Sequence, residues 1–409
     1  MLAPTTVEDL DVPRKLLEDL ALKTIHLLGE VTLVGLADHM RVALGIVDGI
    51  FQRLRKEQLV QVTGMVGGVH QIVATADGRT RAMDLLSLSQ YAGPAPVSLV
   101  DYAHRIREQT VRDLQVDRAA VESAFDDLVL EPQVLDQLGT AAVSGNAIFL
   151  HGPSGTGKTT LAEALWRLFR DDAVWVPHAI VVDGQIITVY DPAVHHPAQT
   201  APAPDADRRW VLCQRPRVVA GGEMTIEMLD LQFNPLSKFY VAPVQVKANN
   251  GLLVIDDFGR QRVKPEELLN RWVVPLDRRI DFLTLAGGRK LEVPFDVLVV
   301  FATNLDPSSL ADEAFLRRIQ TKIKIDNIGR EQFHEITRRV CDGAGVAYNA
   351  AVVEHLADII ATNLRQPLRA CYPRDIVHQI VWNARYHRQD AALTREAVEQ
   401  ACRNYFLPS

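Results

Sequence analysis

The chain predicts an α/β fold: a parallel sheet followed by a helical region, with a small α+β domain ahead of it. Three observations carry that expectation. The apolar run Ala147–Leu150 passes through HGPSGTGKTT into the helical pattern Leu161, Ala164, Leu165, Leu168, which is strand, glycine-rich loop and helix in succession. Two further apolar runs, Leu252–Ile255 and Val297–Ala302, end in polar residues, as strands buried on both faces of a parallel sheet do at their ligand-facing edge. The two ends of the chain differ from this middle. Residues 328–409 carry helical stripes (Val352, Val353, Leu356, Ile359, Ile360; then Ile376, Val377, Ile380, Val381), and residues 1–86 change from helical periodicity to alternation.

A length of 409 residues suits two or three domains with ample cores. With 47% hydrophobic and 23% charged residues and a net charge of −7, the composition gives no global argument for nucleic acid or an anionic membrane. No apolar run reaches the roughly 18 residues of a membrane span, and no charged-then-apolar leader opens the chain, so a cytoplasmic protein is expected. Cys213, Cys341, Cys371 and Cys402 are scattered without C-x-x-C spacing and read as reduced thiols, not as a zinc cluster or disulfide framework.

In chain order, helical patterns at 14–28, 33–40 and 43–56 lead to LVQVT (59–63) and VHQIVAT (69–75) around the turn signal GMVGG. Three helices and a hairpin over residues 1–86 resemble a winged-helix domain, a fold that serves DNA binding and protein interaction alike. Residues 1–90 hold nine Lys/Arg against eleven Asp/Glu, and the third helix is apolar or acidic until Arg53, Arg55 and Lys56. Sequence-specific DNA binding draws on several basic phosphate contacts, so protein interaction is favoured and DNA is the alternative. Residues 87–118 read as a Ser/Pro/Gly-rich linker followed by a connecting helix.

The loop itself, Gly152, Pro153, Ser154, Gly155, Thr156, Gly157, Lys158, Thr159 and Thr160, is the candidate phosphate site. Its glycines let successive N–H groups turn inward, Lys158 supplies charge for the outer phosphates, and the Thr159 hydroxyl at the helix N-terminus is placed to hold Mg2+. Asp256 and Asp257 follow the second apolar strand. The functional reading has Asp256 hold Mg2+ through water and Asp257 orient or deprotonate the attacking water; the plain one makes both solvated turn residues. Asn304, after the third strand, is suited to sensing a γ-phosphate or the attacking water. Arg317 and Arg318 are either a solvated helix face or fingers acting on another subunit. Between loop and acidic pair lies an insertion, residues 171–249, whose centre DPAVHHPAQTAPAPDADRR reads as a mobile Pro/Ala-rich loop. His195, His196 and Asp191 raise a metal site there, but adjacent histidines in such a loop are expected in solvent.

Taken together, the glycine-rich loop, LLVIDD, VVFATN and FLRRI resemble an AAA+ ATPase, with a nucleotide-binding core at 119–327 and a helical lid at 328–409. The resemblance implies ATP and Mg2+ as ligands and a homo-oligomeric ring, a hexamer, in which an arginine completes the neighbouring site; Arg318 is the first candidate and Arg317 the second. It makes Asn304 the first sensor. In YPRDI, Pro373 suits a helix's first turn and places Arg374 near a dipole that favours phosphate; Arg374 matches the second sensor. Most such enzymes have Asp-Glu where this chain has Asp256-Asp257, and the shorter side chain puts fast hydrolysis in question. RIDFLTLAGGRKLEVPF resembles the hairpin before the first sensor in the clade of MoxR-type chaperones and enhancer-binding activators, and the assembled pattern is similar to chaperone-like ATPases associated with Flp pilus assembly. In the activators a loop placed like SKFYVAPVQVKANNG touches substrate, which makes Phe239 and Tyr240 either gripping aromatics or core residues. The expected function is ATP-driven remodelling of a protein partner, with the N-terminal domain as adaptor. The alternatives are a DNA-associated ATPase, either transcription activator or helicase-loader-like, and a low-turnover nucleotide-controlled scaffold.

Overall fold

A computed structural model describes residues 2–310 and 313–406. At the N-terminus, α1 (Arg14–Leu28), β1 (Val31–Thr32), α2 (Leu33–Met40), α3 (Leu44–Lys56), β2 (Val60–Val66), β3 (Val69–Ala74) and α4 (Ala76–Leu88) enclose one apolar core. Ile46, Val47, Ile50, Phe51 and Leu54 recur on one face of α3 and are buried, the periodicity of an amphipathic helix. Thr32 caps α2 by accepting the Gly35 N–H at 3.0 Å. The three strands pair antiparallel in the order β1-β3-β2. The hairpin turn is shorter than GMVGG suggested: Gly64, Met65 and Val66 extend β2 past a bulge, and Gly67 and Gly68, both at positive φ, make a two-residue turn.

Residues 89–98, expected as a linker, are packed. The Gln90 N–H donates to Ser237 O and the Ala95 N–H to Met40 O, each at 2.8 Å. Tyr91, Ala95 and Val97 are buried. β4 (Val97–Ser98) then leads into α5 (Leu99–Glu108). Extended Pro-rich backbone has no internal hydrogen bonds, so here it lies as a strap whose amides are satisfied by the bodies on either side.

The insertion is built of strands on either side of its Pro/Ala-rich centre, residues 191–209, which forms no helix or named strand. β6 (Ala173–Pro177) and β9 (Trp210–Gln214) pair antiparallel; β7 (Ala179–Val182), β8 (Gln185–Thr188), β11 (Gln232–Asn234) and β12 (Phe239–Val241) join β4 in a sheet of order β11-β12-β8-β7-β4. Ala179, Val181 and Ile186 pack into the same core as the N-terminal helices, so the expected boundary near residue 86 does not close off a separate core. The buried Asp207–Arg209 pair reinforces the seam, with Arg209 also donating to Leu10 O and Pro96 O, both at 3.3 Å.

In this region one expectation fails, that of a solvent-exposed His195, and of the two readings of Phe239 and Tyr240 the packed one agrees with the structure. His195 is 1% exposed, not in solvent: its Nδ1 accepts the Asp191 N–H at 2.9 Å and its Nε2 lies 2.9 Å from Lys247 O, which makes a neutral ring with both nitrogens engaged. Tyr240, one of the proposed gripping aromatics, is 3% exposed and accepts the Ala286 N–H on its hydroxyl at 2.8 Å. Phe239 sits edge-on to Tyr91 at 5.6 Å. Alternation along β12 sends the two rings to opposite faces, and both faces are covered.

The central sheet is parallel, in the order β10-β13-β16-β5-β17, from β5 (Ile148–His151), β10 (Arg217–Ala220), β13 (Leu252–Ile255), β16 (Leu298–Thr303) and β17 (Thr321–Lys324). Period two divides each inner strand between two cores: Phe149, Leu253, Ile255, Val299 and Phe301 face one, Ile148, Leu150, Leu252, Val254, Leu298 and Val300 the other. Helices α6 (Arg118–Ala124), α7 (Pro132–Ser144) and α8 (Lys158–Ala164) cover the second of these, and α10 (Pro265–Arg278) the first, after the short α9 (Val244–Lys247). The hairpin of β14 (Ile280–Thr284) and β15 (Lys290–Pro294) stands before β16 as its Gly287-Gly288 signal suggested, and leans on the insertion through the Arg289–Asp183 ion pair at 2.8 Å. After α11 (Pro307–Leu310) and α12 (Glu313–Leu316), the lid comprises α13 (Arg330–Ala344), α14 (Ala350–Asp358), α15 (Cys371–His387) and α16 (Arg395–Tyr405). Among the described residues no helix is long and apolar enough to cross a membrane.

Candidate functional site

At the carboxyl end of β5 the chain must turn sharply under the lid. Gly152 has φ 142°, and a Cβ there would lie 2.1 Å from Ile325 O; at Gly155, φ 79°, a Cβ would meet Cys371 Sγ at 2.6 Å. Side chains are excluded at both positions by backbone angle and by space. The loop ends on α8, whose first residue is Lys158. Lys158 is 9% exposed and donates from Nζ to Gly152 O at 2.9 Å and Pro153 O at 2.8 Å. Burial lowers its pKa, while Asp257 and Asp256 pull in the other direction. Gly152 and Pro153 thus support the lysine from behind.

Asp256 and Asp257 stand at the end of β13, the neighbour but one of β5. The Thr159 hydroxyl lies 2.9 and 3.0 Å from the two Asp256 carboxylate oxygens. A hydroxyl beside a carboxylate, with backbone N–H groups nearby for an anion, is a hard-oxygen donor set that fits Mg2+ on a phosphate chain. Asp257 is exposed and takes the left-handed conformation at φ 47°, which Asp tolerates better than most side chains. That twist turns the next residue inward: the Phe258 N–H donates to Ala302 O at 2.7 Å and its ring packs among Phe149 and Phe301. Asn304 follows β16, and its Oδ1 is buried without a hydrogen-bond partner. An unsatisfied buried acceptor is uncommon in folded proteins, and this one lines the cleft.

The cleft measures about 530 Å³. It brings together Ser154, Gly155, Thr156, Gly157, Lys158, Thr159, Thr160, Asp256, Asp257, Asn304 and Arg374. Arg374 reaches it from the first turn of α15, with Nε 3.0 Å from the Asp375 carboxylate. Arg317 and Arg318 are not among the lining residues. They precede β17 and so lie at the amino edge of the sheet, opposite the cleft, with Arg318 Nε 2.8 Å from Asp277.

Sequence reasoning missed the apolar end of the cleft: Leu128, Val129 and Leu130 before α7, and Ile336 and Val340 on α13, with Arg339 between them. A signal was present. Ile336 and Val340 are spaced four apart, off the buried stripe Phe333, Thr337, Cys341, so α13 carries a second apolar face. Among the described residues no group of three or more His, Cys, Asp or Glu is placed to hold a metal ion by itself.

Residues 329–404, the lid, match a family model described as a domain of unknown function, DUF8689. No curated protein matches the chain. Among solved structures it is similar to NtrX from Brucella abortus in complex with ADP, at 15% identity and a TM-score of 0.42 over 68% of this chain and 56% of that one. The ATP complex of the same protein gives 15% and 0.42 over 75% and 62%. The RuvB Holliday junction branch migration motor of Thermotoga maritima gives 16% and 0.39 over 67% and 69%. The chain thus spans little more than half the length of the NtrX structure with ADP.

Proposed function

We propose that the chain is an AAA+-type ATPase that binds ATP with Mg2+ between sheet and lid and converts hydrolysis into conformational work on a partner. The observation that carries this reading is the Thr159–Asp256 pair beside the buried Lys158, which assembles cation ligands and phosphate charge at the carboxyl edge of a parallel sheet. Phosphates would lie along Gly155–Thr160 and the base at the apolar end. When bound, Mg2+ neutralises developing charge on the phosphates. Asp257, exposed at the lip, takes the proton of the attacking water or orients it; Asn304 fixes that water or the terminal phosphate with its free amide oxygen or its NH2; Arg374 reports nucleotide from the lid. The finger role falls to Arg318, or to Arg317, of an adjacent copy, since both lie across the sheet from their own cleft. A closed ring, a hexamer, would supply it at every site.

Lys158→Ala should abolish nucleotide binding in a titration with ATP-Mg2+, and unchanged affinity would overturn the assignment. Asp257→Asn should bind ATP and stop turning it over, because an amide cannot accept the proton.

Two partner classes divide the reading. RuvB is named for a Holliday junction, and that likeness sits with the DNA-associated alternative. The N-terminal unit, which we read as winged-helix-like, supports a protein partner: its hairpin exposes Met65 (63%) and Val66 (54%), and Arg53 is held by Glu18 at 3.2 Å. Binding to a DNA duplex and to a four-way junction across a salt series decides between them. A complex surviving physiological salt establishes the DNA reading; binding that fades steeply leaves the protein partner. The MoxR-type and pilus-associated subgroups draw no support from the comparisons.

A further inference from the structure

Hydrogen bonds tie the lid to the cleft at both of its ends. At the loop end the Cys371 N–H donates to Gly155 O at 3.1 Å. At the apolar end Arg339 Nη1 donates to the backbone oxygen of Asp126 at 2.6 Å. The second contact has the geometry of a latch. Arg339 stands on the face of α13 that carries Ile336 and Val340 into the cleft. Its Nε is held at 2.8 Å by Glu335, one turn earlier, so the guanidinium plane is set before it reaches across.

The segment it grips is anchored to the core. Arg167, one turn beyond α8, donates to Ala124 O at 3.0 Å and pairs with both carboxylate oxygens of Asp127, the Nη2–Oδ2 distance being 2.9 Å. Residues 124–127 are thus bonded to the segment that follows α8, while Arg339 belongs to the lid. Their bond joins the two sides of the cleft.

We propose that Arg339 is the positioning residue that closes the lid over a bound nucleotide and sets how long the nucleotide stays. The inference rests on the nucleotide reading of the cleft and extends it to a residue with no part in the chemistry. It makes a distinction within one pair of neighbours. Arg338 binds the same Glu335, at 2.7 Å through Nη2, but is exposed and does not line the cleft. If Arg339 served only to brace α13 through Glu335, the two arginines would be equivalent.

The test uses the full chain and a fluorescent ADP analogue with Mg2+. Arg339→Ala is expected to speed release of the analogue about tenfold, the kinetic equivalent of losing a charge-assisted hydrogen bond of ~1.4 kcal/mol. It should raise the KM for ATP by a similar factor while kcat changes at most about twofold, a loss of uniform binding. Arg338→Ala should release at the wild-type rate. Arg339→Lys keeps one donor for the Asp126 oxygen and should recover part of the residence time; it also serves if the alanine variant folds poorly. Wild-type release from Arg339→Ala, or equal acceleration by Arg338→Ala and Arg339→Ala, overturns the latch. Failure of the unaltered chain to bind the analogue at all would instead strike the nucleotide reading.

Discussion

The cleft and the insertion are built by opposite means. Around the cleft, the candidate groups other than Arg374 come from short contiguous motifs at the ends of parallel strands, and the strands bring the ends together: Lys158 and Thr159 after β5, Asp256 and Asp257 after β13, Asn304 after β16. In the insertion, the buried groups come from distant segments with no motif of their own. Tyr240 meets Ala286, His195 meets Lys247, and Arg209 gathers Leu10 and Pro96. Changing a cleft residue should therefore alter chemistry and spare the fold. Changing an insertion residue should alter the fold, and activity only through it.

Breaking that contrast calls first for the largest effect. Arginine fingers contribute on the order of 10³–10⁵ in rate, so Arg318→Ala should lose turnover to that extent while ATP affinity and melting temperature hold. Mixing it with Lys158→Ala should restore part of the activity, since each copy supplies what the other lacks. No rescue in subunits shown to exchange would place the finger elsewhere.

Next comes the insertion. Truncating a buried aromatic typically costs about 3–5 kcal/mol, so Tyr240→Ala should lower the melting temperature markedly and take ATPase activity down with it. Full stability with activity uncoupled from the partner would restore the gripping role that its burial argues against.

A smaller effect follows from two insertion histidines. Burial takes His195 from an ordinary 6.5 to about 4, with Asp191 and Lys247 facing it. His178 falls to about 4 for the same reason, with Arg41 adding to it. The folded state binds fewer protons than the unfolded one between these values, so their contribution is fully present above pH 6.5. It drains as pH falls toward 4, by up to about 1.4 kcal/mol per pH unit for each histidine. Urea midpoints across that range should show the slope, and His195→Gln should flatten it. An equal slope in that variant would assign the acid sensitivity elsewhere.

The smallest change is expected at the hairpin tip. Met65→Ser should shift stability by no more than about 0.5 kcal/mol, as exposed positions do, while weakening a protein partner that binds there. Captured partner unchanged in amount would move the docking surface off this hairpin.

The expectations that held share a physical basis with the cleft. Gly152 to Thr160 forms its loop because backbone angle and the closeness of Ile325 O exclude side chains, a constraint local enough to show in spacing. Leu252–Ile255 reads as a strand covered on both faces because all four residues are apolar, and all four are fully buried. Helical stripes in the lid are legible for the same reason. The strap at 89–98 and the loop around His195 read as free in the sequence because they are rich in Ser, Pro and Gly or in Pro and Ala. Their order comes from amides and rings satisfied by residues on other segments of the chain, such as Ser237 for Gln90 and Lys247 for His195.

By itself, then, the sequence determined where the glycine-rich loop and the acidic pair fall, where strands and helices alternate, and that His195 and Tyr240 lie outside that loop. Only the tertiary structure decided that the insertion and the N-terminal helices share one core. It also decided that Arg317 and Arg318 do not line their own cleft, and that Arg339 reaches across to Asp126. The physical reason is range. Turn geometry and side-chain periodicity act between neighbours along the chain, whereas burial and hydrogen-bond satisfaction act between whatever surfaces the fold brings into contact.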